Sequence, residues 1–297
     1  MGLRTLAMTA LVLTSAFVSS GRADDGSLSW TDSESRIIAT AGESQFVSQV
    51  SMTPEAADGS TWVLVAPYGW VPGMRGTVGA AGITANVDLS IGDVIRHLGD
   101  LNGAFMGHVE VGKNQWGLVL DGMLMRLEPE QNLPLGGKVK LESSSTLLES
   151  LAMLRLVDTQ TIDPALPRTR IDALGGARYY QVQSGFQLNP AVGPVVRDEL
   201  TKDWVDVVVG GRAAVTVLEG LDGFIRADFG GFGIGTSSNL TWNLIAGGEY
   251  ACPQLPGSSL VLGYRVLSID EKQKSGPNAF IYDVTMQGPF AAIAYRF

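Results

Sequence analysis

In the stretch DWVDVVVGGRAAVTVLEG, Val205, Val207, Val209, Ala213, Val215 and Val217 take alternate positions, and Asp206, Arg212 and Thr216 fall between them. The pattern repeats. Ile225, Ala227 and Phe229 oppose Arg226 and Asp228; Leu240, Trp242, Leu244, Ala246 and Tyr250 oppose Thr241, Asn243 and Glu249. Leu260, Leu262, Tyr264 and Val266 oppose Arg265, and Phe280, Tyr282, Val284 and Met286 oppose Asp283, Thr285 and Gln287. A period of two means strands with one apolar and one polar side. Every strand here has a face that needs an apolar phase and a face that carries charge.

Two architectures satisfy that demand: a soluble β-sandwich, or a membrane β-barrel with its apolar side outward. Charged residues make up 17% of the chain, below the ~25% of an average soluble domain. Downstream of the N-terminus no run of about 18 apolar residues forms a membrane helix. Further strand-like runs lie at 62–70, 77–89, 103–111, 115–126, 138–157 and 169–183, eleven in all. Closed single-chain bacterial barrels have even counts, so one run is miscounted and 10 or 12 strands are expected. IGDVIRHLGDL reads as a helical turn between two of them. Connections alternate between short (LEGLD, CPQLPG) and longer, polar ones (SIDEKQKSGPNAF, QLNPAVGPVVRDELTK). Short turns at one end and longer loops at the other fit a barrel.

The N-terminus sets the compartment. Arg4 precedes an apolar run from Leu6 to Val18, followed by small residues and Gly21-Arg22-Ala23. This is the layout of a secretory signal peptide over residues 1–23. Its removal takes away two arginines and moves the formal charge from −9 to −11. A chain that acidic lacks the basic face a nucleic-acid partner requires. The single cysteine, Cys252, forms no internal disulfide. Residues 24–60 carry Asp24, Asp25, Asp32, Glu34, Glu43, Glu55 and Asp58 against Arg36 alone, the composition of an acidic, flexible segment. The remainder, 61–297, is expected to be the barrel.

On the polar side of the strands stand Asp172, Arg178, Asp206, Arg212, Arg226, Asp228, Glu249, Arg265, Asp283 and Arg296. Five acids match five bases, and every base is arginine. Planar, bidentate guanidinium–carboxylate pairing suits a confined lumen, so these ten residues are expected to form an ion-pair ladder inside the barrel. Trp62, Trp70, Trp116, Tyr179, Trp242, Tyr250, Tyr264, Tyr282, Tyr295 and Phe297 stand near strand ends on the apolar side, as girdles at two membrane interfaces would. In the last strand the apolar side moves from even positions (Phe280 to Met286) to odd ones (Ile293 to Phe297) across Gly288-Pro289, which predicts a β-bulge there.

The segments PYGWVPGMRGTVG, GKNQWGLVLDGMLMRLE, DWVDVVVGGR, ADFGGFGIGTSSNLTWNLIAGGEY and YDVTMQGPFAAIAYRF resemble those of a broad group of bacterial outer-membrane β-barrel proteins. The resemblance spans about 62–297 and implies an all-β, closed antiparallel transmembrane barrel in the outer membrane, surrounded by its lipids. The terminal segment also resembles the C-terminal signal read by the barrel assembly machinery. On that resemblance Ile293, Tyr295 and Phe297 are the matching positions.

Catalytic signals are sparse. The chain has two histidines, His97 and His108. His108 shares a strand side with Glu110, and Asp121 on the next strand is placed to join them, the minimal makings of a lipid-acting hydrolase. No motif supplies a nucleophile with oxyanion donors. GFGIG lacks the strand–turn–helix setting of a dinucleotide loop, and no Cys/His metal cluster is present. The reading is a non-catalytic barrel of structural or narrow-channel type, without cofactor or metal, with the hydrolase as the alternative.

Overall fold

The computed structural model describes residues 60–80, 83–96, 101–127, 130–132, 138–161, 167–189, 196–273 and 280–297. The signal-peptide and acidic-segment expectations, and His97, lie outside these residues. Strands are β1 (Thr61–Trp70), β2 (Gly73–Ala80), β3 (Ile83–Leu89), β4 (Leu101–Lys113), β5 (Trp116–Leu127), β6 (Glu130–Asn132) and β7 (Lys138–Asp158). They continue as β8 (Thr169–Asn189), β9 (Val196–Leu218), β10 (Leu221–Gly231), β11 (Leu240–Ala251), β12 (Ser258–Gln273) and β13 (Phe280–Arg296). A short helix, α1 (Ile91–Arg96), separates β3 from β4. Ser90 caps it: its hydroxyl accepts the Asp93 N–H at 3.2 Å, and the Asp93 carboxylate accepts the Ser90 N–H at 2.9 Å. Those Ser90 hydrogen bonds hold the Asp93 carboxyl below the usual carboxylate range.

Ten antiparallel strands close a ring in the order β1-β4-β5-β7-β8-β9-β10-β11-β12-β13, and β1 pairs with both β4 and β13 to seal it. A closed ring leaves no sheet edge to be satisfied in lipid. The eleventh run of the sequence, 77–89, accounts for the odd count. It falls in the hairpin β2–β3, which lies outside the ring and pairs with the loop-side half of β13 through β2. The chain leaves β1 at Val71-Pro72, where proline lacks the N–H that a continued ladder needs. Two-residue turns join β4 to β5 and β9 to β10, with Asn114 (φ 54°) and Gly220 (φ 75°) in the left-handed region. These turns, the ten-residue connection from β7 to β8 and the end of the chain share one rim; the connections that follow β8, β10 and β12 share the other.

Where the side chains point decides between the two architectures. Val205, Val207, Val209, Val215 and Val217 of β9 are exposed, whereas Asp206 is fully buried. On β10 and β11, Ile225, Phe229, Leu240 and Leu244 are exposed, whereas Asp228 and Glu249 are buried. A soluble sandwich would reverse these sides. The molecule is a barrel with an apolar exterior and a charged interior. From Val205 to Val217, a rise of about 3.3 Å per residue and a tilt of about 40° give a belt about 30 Å tall, the thickness of a bilayer's hydrocarbon core.

On the loop side the code inverts. Past Tyr179 and Val205, the outward residues are Gln181, Gln183, Asp203 and Thr201, and the inward ones are Tyr180 and Trp204, both buried. On β12 and β13 the outward residues become Ser268, Asp270, Thr285 and Gln287, and the inward ones Leu267, Ile269, Val284 and Met286. The wall has left the lipid, so water is now outside and the apolar side turns in. This overturns the expected bulge at Gly288-Pro289. β12 and β13 pair without a slip from Ser258↔Tyr295 to Gln273↔Phe280, and even positions of β13 face inward throughout. Solvent changed sides; the register did not.

Three girdle assignments are corrected: Trp70 and Tyr282 by the same inversion, and Trp62 at the turn-side rim, where it packs inward on Leu151 and Met153; each is at most 8% exposed. Trp116, Tyr250, Tyr264, Tyr295 and Phe297 stand outside as expected.

Candidate functional site

Neighbouring strands bring the charged side chains together at the level of the belt. The Arg178 guanidinium, fully buried, donates to Glu149 Oε2 and, at 2.6 Å, to Asp228 Oδ1. Arg226 donates to the same two carboxylates, at 2.6 Å to Glu149 and 3.0 Å to Asp228. Arg212 spans Glu110 and Asp172, and Arg155 donates to Asp172 at 3.0 Å. Arg265 donates to Asn243 at 3.0 Å and lies 3.7 Å from Asp121. Tyr68 closes the group, its hydroxyl donating to Asp121 at 2.9 Å.

His108 is clamped between two carboxylates, with Nε2 2.8 Å from Glu110 and Nδ1 3.2 Å from Asp121. Ionised carboxylates only accept hydrogen bonds, so both ring nitrogens must donate and the ring is an imidazolium. With that charge, six cations (His108, Arg155, Arg178, Arg212, Arg226, Arg265) face five anions (Glu110, Asp121, Glu149, Asp172, Asp228), and Arg155 also lies 3.8 Å from Asp158. Acids and bases interlock so that each has an opposite charge within reach. A buried ion without a partner costs several kcal/mol, so this mutual pairing is what lets so many charges share a dry interior.

Nine of the ten ladder residues read from the sequence face the lumen. Asp172, Arg178, Arg212, Arg226, Asp228 and Arg265 enter the lattice. Asp206 points inward but holds a loop, accepting from the Ser238 N–H, the Ser238 hydroxyl and the Thr241 hydroxyl. Glu249 accepts the Ser259 hydroxyl at 2.5 Å and feels the charge of Arg296 near the turn-side rim. Asp283 is the correction. It lies on the outer side of β13 beyond the belt, half exposed, and pairs with Lys272 at 2.7 Å.

Glu149, Arg155, Arg170 and Asp222 were not singled out in the sequence. Glu149 sits in LLESLAML, where its inward neighbours Leu147 and Leu151 are themselves apolar and blur the alternation. The signal for Arg170 and Asp222 was plain alternation in TRID and LDGF; in the structure they pair at 2.8 Å.

Above the lattice, Trp70, Met106, Met123, Leu147, Tyr180, Trp204, Leu267, Ile269, Phe280, Tyr282, Val284 and Met286 form one buried apolar cluster. Tyr180 and Trp204 stack at 5.0 Å, and Arg265 lies 5.0 Å from the Trp70 ring, joining cluster to lattice. Beside the lattice lies a cavity of about 80 Å³ lined by His108, Arg212 and Arg265 together with Ala66, Phe224 and Phe290. At about 15 Å³ per site it has room for on the order of five waters.

At the end of β13, Ile293, Tyr295 and Phe297 are exposed on the outer side, with the two aromatic rings edge-to-face at 4.7 Å.

No protein-family model matches this chain, and no curated protein does. Among solved structures it is similar to the outer-membrane protease OmpT of Escherichia coli, at 8% identity over 83% of this chain and 100% of that one, with a TM-score of 0.49. It is also similar to the translocator domain of the autotransporter NalP of Neisseria meningitidis, at 12% identity over 81% and 90% of the two chains, with a TM-score of 0.41. A third is Ail, the attachment invasion locus protein of Yersinia pestis, at 12% identity over 80% and 98%, with a TM-score of 0.29. The closed ring, the apolar belt and the ionic interior make this chain a transmembrane β-barrel of the bacterial outer-membrane kind.

Proposed function

We propose that the protein is a non-catalytic, structural barrel of the outer membrane whose lumen conducts no solute. The observation that carries this is the double filling of the lumen, an interlocked ionic lattice below and an apolar cluster above. The narrow-channel reading requires a connected water path, and the cavity beside the lattice has room for a few waters alone. The hydrolase reading requires His108 with a free ring nitrogen to take a proton. Both nitrogens are occupied by carboxylates, which supports a charge-pairing role instead. Ile293, Tyr295 and Phe297, on the outer side of the closing strand, serve the assembly machinery as its recognition strand in this reading.

The test is a planar-bilayer recording on the purified full chain. Current indistinguishable from protein-free bilayers is expected. Discrete conductance steps would refute the closed lumen and return the channel reading.

A further inference from the structure

β10 and β11 differ from the other strands in where they stop. β8, β9, β12 and β13 run past the belt and turn polar on the outside. On β10 and β11 the outer side stays apolar to the tips, through Ile225, Ala227 and Phe229 and back through Leu240, Trp242 and Leu244. The connection 232–239 therefore begins at the level where the lipid belt ends.

That connection displays two large apolar side chains, Phe232 at 47% and Ile234 at 64% exposure. From Phe229 to Trp242 it contains no charged residue, whereas the neighbouring rim carries Arg75, Asp88, Asp270, Lys272 and Asp283. An exposed, uncharged loop with apolar tips would be a liability in water.

It is nevertheless built rigidly. Phe232 adopts φ 67°, a left-handed conformation that side chains other than glycine seldom take, between Gly231 at φ 90° and Gly233 at φ 64°. The Gly233 N–H donates to the Ser238 carbonyl at 2.8 Å, and the Ile234 N–H to the Ser237 hydroxyl at 2.8 Å. The base is tied to Asp206, which accepts the Ser238 N–H at 2.8 Å and the Ser238 hydroxyl at 2.7 Å. Strain at an exposed aromatic, held by a buried carboxylate, points to a displayed feature.

We infer that residues 232–239 form a preorganised finger that inserts Phe232 and Ile234 into the loop-side interface of the bilayer. The occupant of this surface is lipid. The finger is continuous with the lipid-facing belt at Phe229, and from Phe229 to Trp242 it carries no charge of its own.

The experiment uses the full chain with Cys252→Ser and Ile234→Cys, labelled with an environment-sensitive fluorophore and reconstituted in phosphatidylcholine vesicles. Asp88→Cys, labelled likewise, reports the water-exposed rim. Lipids carrying a quenching group on the upper acyl chain are expected to quench the Ile234 label several-fold more than the Asp88 label, with iodide in water showing the reverse order. Equal iodide quenching at both sites would overturn the inference. Shielding of the Ile234 label from both quenchers would overturn it too, in favour of a protein cover. If Ile234→Cys fails to fold, Thr236→Cys on the same loop gives the same comparison.

Discussion

Arg178 shows what a single side chain carries in this interior. It is fully buried and donates to Glu149 and Asp228, so Arg178→Met strands two carboxylates that Arg226 alone must then neutralise. Breaking one partner from a buried pair typically costs about 3–5 kcal/mol. The expected result is a loss of that size in urea unfolding of the protein in lipid vesicles; a change below about 1 kcal/mol, the value of an exposed pair, would show the lattice to be incidental. On the other side of the wall, Val209→Arg places a charge in the middle of the belt, where lipid-facing arginine costs about 2–4 kcal/mol. The same unfolding measurement checks it. Residue identity told most of this in advance. Arginine rather than lysine opposite the acids marked a confined, planar-pairing interior, and six of the ten residues so marked do pair there. What stayed hidden was Glu149, because a lumen face that mixes leucine with glutamate does not read as polar.

At the scale of the strand, β13 holds the most instructive misreading. Alternation reports which side of a strand is apolar, and it is silent about whether that side faces in or out. In FIYDVTMQ the apolar side faces in, because this half stands in water; in AAIAYRF it faces out, because that half stands in lipid. A bulge and a change of solvent leave the same trace in a sequence. Mutations separate them. Phe280→Ala is expected to cost about 3–5 kcal/mol, as for an aromatic removed from a packed core. Asp283→Leu is expected to stay within about 1 kcal/mol, since it loses an exposed pair with Lys272 and nothing else. Vesicle unfolding of the two variants would reveal the opposite order if Asp283 belonged to the lumen. The last residues of the same strand make a separate prediction: Phe297→Ala leaves the ring's pairing intact but slows accumulation of folded barrel in the outer membrane, read as the heat-modifiable fraction on gels. Unchanged accumulation would remove the recognition role.

For the whole molecule, the ring and the belt were legible because lipid tolerates neither an open sheet edge nor a polar outer face. The hairpin β2–β3 was not, since GTVGA and ITANVDL alternate as ring strands do and topology alone sets them apart. The ionic filling of the lumen was legible in the arginine–acid pattern, but the apolar cluster above it was not, as it requires knowing which apolar residues turn inward beyond the belt.

Some lattice contacts cross the lumen between strands far apart in sequence. Arg212 meets Glu110 across 102 residues, and Arg226 meets Glu149 across 77. Pairs such as His108 with Asp121 or Arg178 with Glu149 can form between neighbouring strands, but the cross-lumen contacts wait for the sheet to curl. Before the first strand meets the last, the future interior is an open, ionised sheet face that water solvates well and lipid does not. A half-built barrel is thus kept from sliding into the membrane prematurely, and the act of closure both expels the water and completes the pairs. The cross-lumen pairs thus couple closure of the ring to its insertion.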